Sequence, residues 1–355
     1  MKKSKKLLNL ILISLLAVGA VVLVVWLASR EGGYSEPRGT FHSPTLYAMD
    51  TTLDFTLQGR DGKLARQDVD AAVALIHRIE AETSRFKSGS DVEKVNAQAG
   101  VAPVKVNDST FDIIKTSLDY SKQSGGAFDI TVAPLVKLWG FYDQKYRVPS
   151  PEEVAAARSL VDYRKVLLDE NNKTVMLADK GMELDLGGVA KGYAVGEAYS
   201  LMKSRGVQHA LINFGGAIGA LGKRVDGSDW IIGIKDPRGQ GGELLGELKV
   251  SDGFVSTSGD YERFFIKNGK RYFHIFDPAT GYNPANAMST TVVGPSGMLV
   301  DVLSKIIVMG PLRGIEFMKT HPEYQGLFID GSGNITYTPQ MKSKYVIEIK
   351  DKVGI

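Results

Sequence analysis

The chain has 355 residues, 43% of them hydrophobic and 23% charged, a globular composition long enough for one large domain or two ordinary ones. It contains no cysteine, which excludes a disulfide framework, a zinc-thiolate site, a catalytic thiol and a lipid-modified cysteine. The net charge of +3 lies partly in N-terminal lysines, so no basic footprint for nucleic acid remains, and the five histidines are scattered without the short spacing of a metal-binding pair.

In chain order, a basic segment at 1–6 precedes an apolar run at 7–28 that is long enough to span a bilayer. The lysines before that run predict a single-pass cell-membrane anchor with its N-terminus inside and the rest extracytoplasmic. A cleaved signal sequence is the competing reading, although an Ala-x-Ala-like site is hard to place. Residues 29–44 bear Gly, Pro and Ser without periodicity and read as a linker, and residues 45–350 read as the folded domain.

Residues 47–57 alternate as a first strand, and 67–82 place Val69, Ala72, Val73, Ile76 and Ile79 at helical spacing. A second helix is expected over 109–124, ended by Gly125-Gly126, and a third after Pro149-Ser150-Pro151-Glu152. Strands are expected at 165–168, 174–177, 210–213, 230–234 and 290–293, with helices at 189–205 and 299–309. Asn268-Gly269 signals a hairpin across 264–276, and Asp330-Gly331 another between 326–329 and 335–337. The mixture of hairpins and helices predicts an α+β fold of mixed or antiparallel sheets, as one compact domain.

Chemistry is suggested by several segments. Residues 183–194 read as a short strand, then Asp185, Gly187-Gly188 and Lys191 at a helix start, a turn able to cradle a diphosphate or simply to connect two elements. Asp301 is expected to open a helix with Ser304 one turn on, an oxygen pair suited to magnesium or to the helix dipole alone. His274, at the end of a strand before an Asp-Pro turn, reads as a structural residue or a general base. Gly126-Ala127-Phe128-Asp129 could stack on and hydrogen-bond a ring system, or supply a core phenylalanine and a cap. Asn213-Phe214-Gly215-Gly216 marks a tight turn or a close backbone approach. A Gly-x-Ser-x-Gly elbow and a Walker-type Gly-Lys-Ser/Thr are both absent, which disfavours ordinary hydrolase and nucleotide folds.

Together these segments resemble the FAD:protein FMN transferase (ApbE) family. The resemblance rests on Met49-Asp50-Thr51-Thr52, Ser84-Arg85-Phe86, 126–131, 185–193, 213–216, His274-Ile275-Phe276-Asp277-Pro278-x-Thr280-Gly281 and Asp301-x-x-Ser304, in that order over residues 45–340. It implies an exported, magnesium-dependent transferase that cleaves FAD, releases AMP and links FMN through a phosphoester to a Thr or Ser of an exported acceptor flavoprotein. It further implies that Met49, Phe86, Ala127, Phe128, Asp129, Asp185, Lys191 and Ile275 line the FAD site, and that Gly188, Asp301 and Ser304 hold the metal. Relatives usually carry a threonine four residues after the metal-binding aspartate, and here Lys305 stands in that place. Asp301 and His274 are the expected catalytic residues. A non-catalytic FAD-binding subunit and an FAD pyrophosphatase are the alternatives.

Overall fold

The computed structural model describes residues 39–354. Three strands, β1 (Phe41–His42), β2 (Leu46–Ala48) and β3 (Thr51–Leu57), precede helix α1 (Gly62–Thr83). Next come α2 (Asp91–Ala97), β4 (Val104–Lys105), α3 (Asp108–Gln123), α4 (Ala133–Leu138), α5 (Pro151–Arg158), β5 (Val166–Asp169), β6 (Thr174–Leu177) and α6 (Ala190–Ser204). A run of strands follows: β7 (Ala210–Phe214), β8 (Ala217–Leu221), β9 (Trp230–Lys235), β10 (Leu244–Val250), β11 (Gly253–Gly259), β12 (Phe264–Lys267), β13 (Lys270–Phe273) and β14 (Ser289–Gly294). The remaining elements are α7 (Gly297–Ser304), α8 (Gly310–Met318), β15 (Gln325–Ile329), β16 (Ile335–Tyr337), α9 (Met341–Lys344) and β17 (Val346–Ile349).

The main sheet runs β1-β3-β7-β8-β11-β14-β15-β16 with β2 beside β3, and its strand pairs are antiparallel. One face is covered by α1, α6 and α7, whose Ile76, Ala194, Val195 and Leu303 join Phe55, Phe214, Phe254, Val292 and Phe328 in the largest core cluster. The other face packs Val255, Val293 and Leu327 against Trp230, Ile232 and Leu248 of the three-stranded sheet β17-β10-β9. Successive residues of β11, β14 and β15 are therefore buried on both faces, so these strands carry near-continuous burial instead of alternation. A second cluster holds Phe111, Ile114, Phe128, Ile130 and Leu186 over the small sheet β4-β6-β5. The fold is α+β, with antiparallel sheets throughout the described residues.

Local chemistry explains the helix starts. Asp61 accepts from the backbone N–H groups of Lys63 and Leu64 at the start of α1, and Ser150 and Glu153 form a reciprocal capping box on α5. Several expectations change. The strand expected over 47–57 is a hairpin, because Met49 and Asp50 take φ of 45° and 59° and reverse the chain between β2 and β3. Residues 183–186 form no strand, and the Asp185 N–H is instead used on the Ile130 carbonyl. Asp301 lies inside α7 rather than opening it, and Lys305 begins a 3-10 turn that replaces the rest of the expected 299–309 helix. His274 stands just beyond the end of β13.

The apolar run at 7–28 lies outside the described residues. Among the described residues no helix is long and apolar enough to cross a membrane. The single-pass membrane location expected from the sequence is corrected on that finding.

Candidate functional site

Asp301 is almost fully buried, 1% exposed. It can sit there because α6 and α7 touch through glycine: a Cβ on Gly192 would come 2.2 Å from the Gly297 carbonyl oxygen and 2.5 Å from Asp301 Cβ. The freed Gly192 N–H donates to Asp301 Oδ2 at 3.0 Å. From β11, Ser256 Oγ donates to Asp301 Oδ1 at 3.2 Å. Ser304, fully buried, donates its hydroxyl to the Asp301 carbonyl at 2.7 Å, which leaves Ser258 Oγ to donate to Ser304 Oγ, also at 2.7 Å.

Lys305 completes this nest. Its Nζ donates to Asp301 Oδ1 at 2.8 Å, to the Asp301 carbonyl at 3.1 Å and to Ser304 Oγ at 3.1 Å. Burial opposes ionisation of Asp301, but the charges of Lys305 and Lys191 and the Lys305 and Gly192 hydrogen bonds outweigh it and hold the carboxyl below the usual aspartate range. Magnesium demands oxygens at about 2.0–2.1 Å in octahedral array. An ammonium already fills that position on Asp301 and Ser304, so the expected metal set of Gly188, Asp301, Ser304 and Lys305 does not fit the ion. Among the described residues no group of three or more His, Cys, Asp or Glu is placed to hold a metal.

Around the nest stand Gly188, Phe128, Lys191 and His274. A Cβ on Gly188 would lie 3.5 Å from the Phe128 ring and 3.6 Å from Lys305 Cε, which places this glycine between them. Lys191, the second residue of α6, donates Nζ to the Gly187 carbonyl at 3.1 Å. Burial, with Lys305 and Arg263 nearby, pushes its ammonium below the usual lysine range against the pull of Asp301 and Asp185. His274 Nδ1 lies 3.4 Å from the Arg263 carbonyl. Burial first, then the charges of Arg263, Lys191 and Lys305, holds its imidazole well below the ordinary histidine value. Asn283 fixes this segment by donating to the carbonyls of Phe273 and Ile275, each at 2.6 Å, and Ile275 is buried beside Phe273 and Ala287.

A second group is aromatic and more open. Phe86, 59% exposed, meets the Tyr142 ring edge-on at 5.2 Å. The Arg85 guanidinium stacks 4.0 Å over the same tyrosine and donates to its hydroxyl at 2.7 Å. Tyr142 in turn donates to Asp185 Oδ2 at 2.5 Å, while Arg85 also pairs with Glu183. Asp185 Oδ1 accepts the Gly187 N–H at 2.7 Å. The 185–191 turn therefore belongs to both groups, with Asp185 tied to the aromatics and the Gly187 carbonyl tied to Lys191.

The remaining expected flavin residues are placed differently. Met49, at the tip of the β2–β3 turn, packs against the cluster that contains Phe128 and Val302, and its N–H donates to Glu80 Oε1 at 3.1 Å. Ala127 is half-buried in the loop before Phe128. Asp129 spends one oxygen inside its own loop, on the Thr131 N–H and hydroxyl, and the other on the Tyr163 N–H beyond α5. Sequence reasoning missed Tyr142, Arg263, Ser256 and Ser258. The two serines had one signal, Val255-Ser256-Thr257-Ser258, which sets both hydroxyls on one face of a strand.

The ApbE family model matches residues 49–328 of the chain. The chain is 32% identical over 306 residues to an FAD:protein FMN transferase of Klebsiella pneumoniae, covering 86% of this chain and 94% of that protein. It is 34% identical over 277 residues to the FAD:protein FMN transferase of Treponema pallidum, covering 74% and 76%. Among solved structures it is similar to the ApbE protein of Thermotoga maritima, with a TM-score of 0.79 and 31% identity over 86% of this chain and 98% of that one. The apo flavinyl transferase ApbE of Pseudomonas stutzeri gives a TM-score of 0.75 and 29% identity over 88% and 98%.

Proposed function

The chain belongs to the ApbE family and is a transferase, and we propose that it moves the FMN half of FAD onto a Thr or Ser hydroxyl of an acceptor flavoprotein. The acceptor oxygen attacks the FMN phosphorus and a new phosphoester bond forms. The bond from that phosphorus to the bridging oxygen breaks, and AMP leaves with the electron pair. The hydroxyl proton needs a base, and the neutral His274 imidazole is the group suited to take it.

The observation that carries this reading is the gathering of two lysines on the glycine turn before α6, Lys191 on the Gly187 carbonyl at 3.1 Å and Lys305 beside Gly188, with His274 electrostatically coupled to both and to Arg263. With Lys305 balanced by Asp301, Lys191 and Arg263 beside a neutral base suit a diphosphate that must be charge-neutralised while a hydroxyl is deprotonated beside it. Magnesium does not fit the Asp301 and Ser304 oxygens with Lys305 bound to them, so that charge falls to the side chains and to the N–H groups at the start of α6. Phe86 offers an exposed ring to the flavin or adenine, with Phe128, packed behind Gly188, and Met49, Ala127, Asp129, Asp185 and Ile275 as the proposed walls. Asp301 acts as a positioning residue for Lys305 and for the start of α6.

Incubation of the full chain with FAD and a threonine-bearing flavoprotein fragment is expected to add one FMN to the fragment, read by intact mass. A His274→Ala variant is expected to slow that addition by about 10²–10⁴-fold. FAD split to free FMN and AMP without labelling would mark a pyrophosphatase, and FAD bound but unconverted would mark a binding subunit.

A further inference from the structure

We propose that the Lys305 ammonium is the resident cation of the Asp301 nest, seated where a divalent ion would otherwise bind, so that this chain handles the flavin diphosphate with side-chain charges in place of a metal. The inference rests on the flavin-transfer reading and specifies how that site obtains its positive charge.

Three observations converge on it. An ammonium has three protons, and Lys305 Nζ has three acceptors: Asp301 Oδ1 at 2.8 Å, the Asp301 carbonyl at 3.1 Å and Ser304 Oγ at 3.1 Å. Its donor capacity is therefore matched by the nest. These acceptors include the two side-chain oxygens that a cation at Asp301-x-x-Ser304 would need, and metal and ammonium cannot share them at their respective distances. The side chain is also seated along its length, being 17% exposed, with Cε and Cγ at 3.6 and 3.9 Å from a Cβ built on Gly188. Finally, the surrounding hydrogen bonds are consistent with a preformed cation pocket. Ser256 and the Gly192 N–H orient the two Asp301 oxygens, and Ser258 orients Ser304.

Asp301 and Lys305 form a neutral pair, whereas Asp301 with a divalent ion would carry a net positive charge. Lys191 and Arg263, the other cations whose charge is felt at His274, must then supply the surplus that meets the diphosphate. Replacing Lys305 by a short hydroxyl side chain removes the ammonium and leaves Asp301 and Ser304 free to take a metal.

The test is Mn²⁺ binding to the full chain, followed by the loss of the free-ion electron paramagnetic resonance signal, for wild type and Lys305→Thr. Wild type is expected to leave the signal unchanged at millimolar Mn²⁺, while Lys305→Thr binds one equivalent about 100-fold more tightly or better, because a like charge about 3 Å away has been removed. If Lys305→Thr does not fold, Lys305→Gln, which keeps the length and drops the charge, is expected to show the same gain. One equivalent of Mn²⁺ on wild type, lost in Asp301→Asn, would overturn the proposal, as would absence of binding to both folded variants. Flavin fluorescence in the same samples separates the two readings: if FAD does not bind, the transferase reading fails while the Mn²⁺ comparison still decides the cation.

Discussion

The Asp301 nest and the Phe86–Tyr142 arm meet at the same turn, residues 185–191, and are built in opposite ways. The nest draws Gly192 from α6, Ser256 and Ser258 from β11, and Asp301, Ser304 and Lys305 from α7 and its end, and it leaves Asp301 and Ser304 almost without solvent. The arm is a chain of contacts from loops, Phe86 to Tyr142 to Asp185, and its outermost ring is 59% exposed. A buried ionic cluster ties charge placement to the packing of the core, so errors there cost stability as well as rate. An exposed ring can change partners with little effect on the fold, which suits a surface that must admit and release a large planar ligand.

The largest effect is expected in the nest. Asp301→Ala strands the Lys305 ammonium in the nest and is expected to cost about 3–5 kcal/mol in denaturant unfolding. A change below about 1 kcal/mol would mean that Lys305 readily finds water, and the nest would be no more rigid than the arm. Gly192→Ala tests the glycine contact between α6 and α7. Its Cβ would meet backbone at 2.2 Å, and about 1–3 kcal/mol of destabilisation is expected, with transfer activity falling in parallel.

Effects in the arm should be smaller and should separate binding from stability. Tyr142→Phe removes a hydroxyl that links Arg85 to Asp185 and is expected to cost about 1–2 kcal/mol of stability, with a weaker flavin affinity in fluorescence titration. Phe86→Ala should leave stability within about 0.5 kcal/mol and weaken FAD binding by up to about tenfold. A loss of stability in either arm variant as large as that of Asp301→Ala would erase the distinction between arm and nest.

The smallest change is expected on mild acidification. The folded value of His274 is depressed by burial and by Arg263, Lys191 and Lys305, so the unfolded chain takes up that proton first as pH falls. The stability contributed by neutral His274 is complete above the unfolded value of about 6.5 and is lost as pH drops below it. The base form also persists below that point. The acid limb of the transfer rate is therefore expected well under pH 6.5, and a limb at the ordinary imidazole value would show that His274 is not the base.

Much of the scaffold was legible from local pattern. The apolar spacing of Val69, Ala72, Ile76 and Ile79 located α1, Asn268-Gly269 located the β12–β13 hairpin, and Pro149-Ser150-Pro151-Glu152 located the start of α5. Local pattern is silent on β11, where Gly253 and Gly259 bound a run of small hydroxyl residues that reads as a turn, whereas β14 and β15, equally buried on both faces, keep the β-branched and apolar residues of a strand. The turn at Met49-Asp50 was read as continuous strand because neither residue is a glycine, yet both adopt positive φ.

The site divides in the same manner. Asp301, Ser304, Lys305, Lys191, Gly188 and His274 were named from the sequence because short-range spacing and motif order single them out. Tyr142, Ser256, Ser258 and Arg263 were not, since nothing near them in the chain marks their partners. Ser256 reaches Asp301 across 45 residues and Tyr142 reaches Asp185 across 43. The α+β pattern, the family motifs and the lysine in place of the usual threonine are all readable along the chain. The reach of Lys305 to Asp301 is itself an i,i+4 pair; the fold adds the burial of that pair and its long-range partners Gly192, Ser256 and Ser258, which come from α6 and β11 and which no local stretch of the chain encodes.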